Sequence, residues 1–203
     1  MKNINHKIFV LIFLSCFTVL HITCKSSAVP VNGTGSWHVD SEKFASDYPL
    51  VGRENVFAYR SPGEIINILK HGTGVVFLGF KECPWCQAYS VYLNEAARET
   101  GINIIFYFDI RDERQNNSDN YLEMVSILSE SLQYDDEGRK RIFVPDVTII
   151  NNGEIIVRDY ETSKDTLGFQ TPEEYWTDER ISALKTRLRA GMGRISKTCD
   201  CDY

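Results

Sequence analysis

Two cysteines stand three positions apart in Cys83-Pro84-Trp85-Cys86, a spacing that can carry two-electron thiol–disulfide chemistry. One thiol attacks a disulfide as its thiolate, a mixed disulfide forms, and the second thiol displaces the product. The first sulfur of such a pair, at the start of a helix, lies beside unpaired backbone N–H groups and the positive end of the helix dipole. These hold its pKa at roughly 3.5–7.5 instead of about 8.5. On this reading Cys83 is the nucleophile and Cys86 the resolving thiol. Two other uses of the pair stay open. With Cys199 and Cys201 it would make an all-cysteine zinc set, although Cys199-Asp200-Cys201 is tighter than the usual knuckle. As an inert staple it would close so short a ring that little chain entropy is removed.

The elements around the pair follow from the apolar patterning. Gly74 to Phe80 is a continuous apolar run, as in a strand buried on both faces. A helix should follow it, with Tyr89, Leu93 and Ala96 or Ala97 on one side. Asn55 to Tyr59 reads as an earlier strand, and Ser61-Pro62-Gly63-Glu64 as a capping box opening a helix through Ile65, Ile66 and Leu69. Asn103 to Ile110 is a second buried strand. Arg111 to Asn120 is expected as a surface loop, with Asn120 and Glu123 capping a helix through Leu122, Val125, Leu128 and Leu132. Pro145 to Asn151 and Glu154 to Tyr160 are strands joined by the hairpin signal Asn152-Gly153. Thr171-Pro172-Glu173-Glu174 then caps a final helix with Ile181, Leu184 and Leu188 on one face. Alternation ending in a hairpin predicts an α/β fold, a mixed central sheet flanked by helices on both faces.

That order of elements, together with Cys83-Pro84-Trp85-Cys86, Val144-Pro145 and Asn152-Gly153-Glu154, resembles the thioredoxin superfamily. Among its exported members, the chain is similar to thioredoxin-like proteins of the bacteriocin transport accessory type. The similarity covers about residues 55–190. It implies a thioredoxin fold and disulfide exchange without a dissociable cofactor. It also implies a cis-proline opposite the cysteines, a role that falls on Pro145, with the Val144 backbone pairing with an extended substrate beside Pro84 and Trp85. Three departures stand out. Phe77 occupies the place of the family's buried Asp, Glu82 that of the Trp before the first Cys, and Pro84-Trp85 that of Gly-Pro in reducing thioredoxins. The redox direction therefore does not carry over. Lys81 and Glu82 either tune the thiols or are solvated, and Trp85 is either a substrate platform or a packing residue.

The first 28 residues have the order of an export signal. Lys2 and Lys7 precede thirteen uncharged residues from Ile8 to Leu20, and Ser26-Ser27-Ala28 follow. At about 1.5 Å per residue that run falls short of a hydrocarbon core of about 30 Å. Residues 1–28 are expected to be a signal peptide cleaved after Ala28, an uncleaved anchor, or a lipoprotein signal lipidated at Cys24, though His21-Ile22-Thr23-Cys24 fits that last pattern poorly. Each places the remainder outside the cytoplasm, secreted or attached to the outer face of the membrane. Residues 29–53, with Gly33 and Gly35, read as a tether, 54–192 as one thioredoxin-like domain, and 193–203 as a Cys-containing tail. In that tail Cys199 and Cys201 form either a second redox pair or thiols that merely pair with each other.

Composition narrows the function classes. The whole chain of 203 residues has a formal charge of −6. Setting aside Lys2, Lys7 and Lys25 with the acid-free first 28 residues leaves 19 basic residues against 28 acids, or −9. Such a balance argues against a nucleic-acid partner. Arg139-Lys140-Arg141 follows Asp135-Asp136-Glu137 after one Gly and reads as a solvated loop. His6, His21, His38 and His71 have no ligand-spaced neighbour, so no metal is expected. The function expected is extracytoplasmic thiol–disulfide exchange by a monomer with cysteine-containing exported proteins and a separate redox partner. The alternative is a thioredoxin-fold binding or secretion-accessory protein that holds a peptide or export client without turnover.

Overall fold

In the computed structural model, which describes residues 38–160 and 168–196, the apolar run at Gly74 becomes strand β2 (Gly74–Gly79) of a mixed five-stranded sheet. The other strands are β1 (Phe57–Tyr59), β3 (Ile105–Asp109), β6 (Asp146–Asn151) and β7 (Glu154–Asp159), in the order β1-β3-β2-β6-β7. The first three run parallel, while β6 is antiparallel to both β2 and β7. Val75, Val76, Phe77 and Leu78 are fully buried, as an unbroken apolar strand covered on both faces requires. Helices α2 (Pro62–His71), α3 (Pro84–Glu99), α5 (Asp119–Ile127) and α7 (Asp178–Ser196) supply the covering layers.

The two faces of the sheet carry different partners. Val75, Phe77, Val147 and Ile149 share the face under α3 and α7. A Cβ at Gly191 of α7 would lie 2.7 Å from Ile149 Cδ1 and 2.8 Å from Val157 Cγ2, so the missing side chain lets the helix close on the strands. Tyr89, Leu93, Ala96 and Ala97 of α3 are buried there with Leu184 and Leu188 of α7. On the opposite face α2 packs with α5. The α2 capping box is formed reciprocally, Ser61 N–H donating to Glu64 Oε2 at 2.9 Å and Glu64 N–H to Ser61 Oγ at 3.4 Å. Arg158 of β7 pairs with the fully buried Asp146 on this face and donates to Ser131 O at 2.6 Å.

The hairpin at Asn152-Gly153 has both residues in the left-handed region, at φ 50 and 79, as a two-residue turn matched to strand twist demands. Gly153 N–H donates to Gly72 O at 2.9 Å. A Cβ there would fall 2.1 Å from Lys70 O, so glycine is required twice over.

Several sequence expectations need correction. The second half of the supposed tether is helix α1 (Ser41–Asp47), which seals the β1 edge. Phe44 and Tyr48 are fully buried, and Phe44 stacks on Phe57 with ring centroids 3.8 Å apart. One short helix presents too few apolar positions to show a period. The supposed loop from Arg111 to Asn120 contains helix α4 (Arg111–Asn116), closed by Asn117 at φ 45. None of its residues is buried, so hydropathy carries no trace of it. The cap of α5 is Ser118, whose Oγ accepts from Tyr121 N–H at 3.1 Å, in place of Asn120. Arg139-Lys140-Arg141 is held in a two-stranded ribbon, β4 (Gln133–Tyr134) with β5 (Lys140–Arg141). The final helix is divided: α6 (Pro172–Tyr175) is capped by Thr171, and α7 starts afresh at Asp178. Helix α7 runs on to Ser196, past the expected start of the tail at 193. The signal segment with Cys24 and the Cys199-Cys201 pair lie outside the described residues.

Candidate active site

Strand β2 ends at Gly79 and α3 begins at Pro84, so the loop between them places Cys83 at the N-cap of a sixteen-residue helix. Cys83 has extended backbone angles, φ −83 and ψ 113. Pro84 fills the first helical position, where its missing N–H leaves nothing unpaired. Cys86 N–H donates to Cys83 Sγ at 3.3 Å, and Cys83 N–H to Phe80 O at 3.1 Å. Both thiols are free, and Cys83 keeps 8% of its surface exposed while Cys86 keeps none.

That difference sets the electrostatics. Hydrogen bonding with the Cys86 side chain, helped by the N–H groups of Cys86 and Trp85 and the charge of Arg114, pulls Cys83 down to about 7 against the opposing effect of burial. Burial pushes Cys86 well above the ordinary thiol value, and the neighbouring Cys83 sulfur pushes it further. One sulfur is thus available as a thiolate near neutral pH while its partner stays protonated.

The floor of the site is aromatic. A Cβ at Gly79 would lie 3.3 Å from Cys86 Sγ and 3.0 Å from Phe77 Cζ, which puts Phe77 and Cys86 on the same face. Tyr48 of the chain just after α1 joins them, its OH 3.0 Å from that of Tyr107. No carboxyl comes from β2, because Phe77 stands there. An acid comes instead from β3: Asp109, the register partner of Gly79, has its carboxyl pKa held up by partial burial.

Pro145 lies one position beyond the Leu78–Asp146 pair of β2 and β6, across from Gly79, and the Val144–Pro145 peptide bond is cis. Arg114 ties this segment to the cysteine loop. Its guanidinium sits 5.2 Å from the Phe80 ring centroid and Nη1 donates to Ile142 O at 3.4 Å. Lys81 pairs with Asp47 at 3.3 Å and Glu82 with Arg111 at 2.8 Å, so both loop charges face partners on neighbouring helices. Trp85 is half-buried with its ring edge-on to Tyr175, 5.8 Å between centroids. Pro84 is exposed.

The structure thus gathers Cys83, Pro84, Trp85, Cys86, Val144 and Pro145 at one end of the sheet. Cys24, Cys199 and Cys201 lie outside the described residues, and with them the proposed lipid site, second redox pair and remaining zinc ligands. Among the described residues no group of three His, Cys, Asp or Glu side chains is placed to hold a metal. Arg114, Tyr48 and Asp109 escape the sequence reading. Arg114 sits in a helix without apolar pattern and Tyr48 in the supposed tether, while Asp109 carries only the weak signal of an acid closing an apolar strand. No protein-family model matches this chain, and no curated protein is significantly similar to it in sequence.

Proposed function

We propose that this chain is a thioredoxin-fold thiol–disulfide oxidoreductase acting outside the cytoplasm on cysteines of exported proteins. The observation that carries the reading is the asymmetry of the pair. Cys83 sits at a helix N-cap, accepting an N–H with its thiol drawn down to about 7, while Cys86 is fully buried and held protonated. The sheet order β1-β3-β2-β6-β7 and the cis peptide before Pro145 support the fold assignment. The expectation of an extracytoplasmic site of action rests on the signal-like first 28 residues.

In the reducing direction, the Cys83 thiolate attacks one sulfur of a client disulfide. A Cys83–client bond forms, and the other client sulfur leaves as a thiolate. Cys86 then gives up its proton, which that leaving thiolate takes up. The new Cys86 thiolate attacks the Cys83 sulfur, and the first client sulfur departs with the bonding pair. The client gains two electrons and the protein ends with a Cys83–Cys86 disulfide. The oxidising direction is the reverse of these steps. Sulfur carries the electrons throughout, so no dissociable cofactor takes part, and a dithiol or disulfide partner protein resets the pair.

The test is stoichiometric exchange between the pre-reduced chain and insulin, with a glutathione-buffered titration of the Cys83–Cys86 potential. One disulfide reduced per protein, abolished in Cys83→Ser, is expected. Absent exchange combined with retained binding of a cysteine-containing peptide would instead make the chain a holding protein.

A further inference from the structure

Between α4, the β4–β5 turn and the segment leading to Val144 lies a cleft of about 540 Å³ lined by Arg114, Asp135, Asp136, Glu137, Arg139, Arg141 and Phe143. Its charges are not equivalent. The Asp135 carboxylate accepts the N–H groups of Glu137 and Arg139 at 3.0 and 2.8 Å and pairs with the Arg139 guanidinium at 3.1 Å. Glu137 also pairs with Arg139, at 2.8 Å. Arg139 is therefore matched twice from within its own turn. Asp136 is exposed on the same turn. Arg114 and Arg141 are different: among the described residues neither has a carboxylate within ion-pairing distance.

These two guanidiniums come from separate elements, α4 and β5. Burial lowers the Arg114 pKa, and the nearby charge of Arg141 lowers it further. Arg114 Nε is buried and has no hydrogen-bond partner. Leaving a guanidinium donor buried and unmade costs free energy, and so does a like-charge neighbour. An anion placed between the two would relieve both. Of the nearby acids, Asp135 and Glu137 are engaged with Arg139 and Glu82 with Arg111, and Asp136, on the exposed turn, makes no ion pair with either guanidinium.

The place of the cleft says what that anion accompanies. Arg114 stacks over Phe80, whose carbonyl accepts from Cys83 N–H, and bonds to Ile142 O. Phe143 leads directly into Val144-Pro145. Because Phe143 both lines the cleft and adjoins Val144, a chain docked along Val144 would run alongside it. We propose that Arg114 and Arg141 bind the carboxylate of an Asp or Glu beside the reactive cysteine of the client, so that the protein selects acid-flanked cysteines. This rests on the exchange activity proposed above. The body of the protein is itself acidic, which disfavours strongly acidic chains at long range. The selected segment is accordingly neutral apart from the acid next to its cysteine.

The probe is a set of short peptides whose one cysteine carries a 2-thiopyridyl group, flanked by Asp, Asn or Lys. Cys83 attacks the peptide sulfur, 2-thiopyridone leaves with a proton and is followed by its absorbance, and Cys86 then releases the peptide thiol. With pre-reduced protein the Asp peptide should react about tenfold faster than the Asn peptide, the size of one good charge-assisted contact, and the Lys peptide slowest. In Arg141→Gln, and in the Arg114→Gln/Arg141→Gln double variant, that ratio should fall to within about twofold of unity. The ratio is taken on one protein sample, so a loss of folded protein lowers both rates and leaves it unchanged. Equal rates for Asp and Asn peptides, or a preference that survives both variants, overturns the cleft assignment while exchange itself stands. No reaction with any of the three peptides contradicts the exchange activity and the cleft assignment with it.

Discussion

Gly79 meets the Cys86 sulfur with a hydrogen atom where any other residue would bring a carbon to 3.3 Å. The same carbon would press on Phe77 Cζ at 3.0 Å, and Phe77 is fully buried between Tyr48, Tyr89 and Tyr107. Neither neighbour can retreat into a packed interior. The glycine therefore fixes how closely α3, and with it the Cys86 thiol, approaches the sheet.

Gly79→Ala should destabilise the reduced protein by about 1–3 kcal/mol, the usual cost of an overpacked core methyl. Urea unfolding measures this through a lower midpoint at unchanged slope. An unchanged midpoint would mean that α3 has room to shift and that the close approach is incidental.

The two thiols impose opposite pH dependences. Cys83 is drawn from the ordinary 9.0 to about 7 in the folded protein, so its stabilisation is complete above 9.0 and is lost as pH falls through 7. Cys86 is raised; above 9.0 the unfolded chain ionises this thiol first, and stability declines. Neither group titrates in the disulfide form. The stability of reduced relative to oxidised protein should therefore climb between pH 7 and 9 and turn over above that. Iodoacetamide should label Cys83 at a rate whose rise is half complete near pH 7 and levels off above it, and Cys86 far more slowly. A Cys83 labelling curve that rises only near 9 would contradict the described asymmetry.

Phe44→Ala should cost about 3–5 kcal/mol, as for other buried phenylalanines, although it lies in a stretch that reads as a tether. Its ring lies against Phe57, Tyr48 and Tyr107. Denaturant unfolding of this variant distinguishes an integral α1 from a loosely docked one, whose loss would leave the midpoint in place.

Arg158→Met should destabilise by about 3–5 kcal/mol, because Asp146 would remain buried without its cation. Thr148 Oγ1, 3.3 Å from Asp146 Oδ1, supplies only one further bond. The companion double change of Asp146 and Arg158 to apolar residues of similar size should recover much of that loss. Thermal unfolding of the single and double variants gives the comparison, and equal losses would remove the ion pair from the account.

What was legible in the chain was whatever had an apolar period or a turn signal. The buried strands at Val75–Leu78 and Ile105–Phe108, the capping box at Ser61-Glu64 and the Asn152-Gly153 hairpin all stand within a residue or two of where their patterns put them. So does the position of Cys83-Cys86 between strand and helix. Elements held by one plug or by polar contacts alone were not legible. Helix α1 is fixed by Phe44 and Tyr48, α4 buries nothing, and the β4–β5 ribbon is two residues wide. Arg114 and Arg141 belong to those unreadable pieces, so the cleft emerges only when the chain is folded. The mixed sheet with helices on both faces was expected from the alternation of elements, whereas the break between α6 and α7 leaves no mark in a sequence that keeps its helical spacing.

The central claim, that Cys83 attacks and Cys86 resolves, is tested most directly by trapping. Cys86→Ser removes the thiol that would displace the client, while Cys83, which keeps 8% of its surface exposed, remains. After exposure to disulfide-bearing clients and acid quenching, this variant should accumulate mixed disulfides through Cys83, visible as reductant-sensitive adducts in intact-mass spectra. Cys83→Ser should accumulate none, because its only sulfur in the site is Cys86, fully buried and protonated. Equal adducts in both variants, or adducts confined to Cys83→Ser, would contradict the assignment.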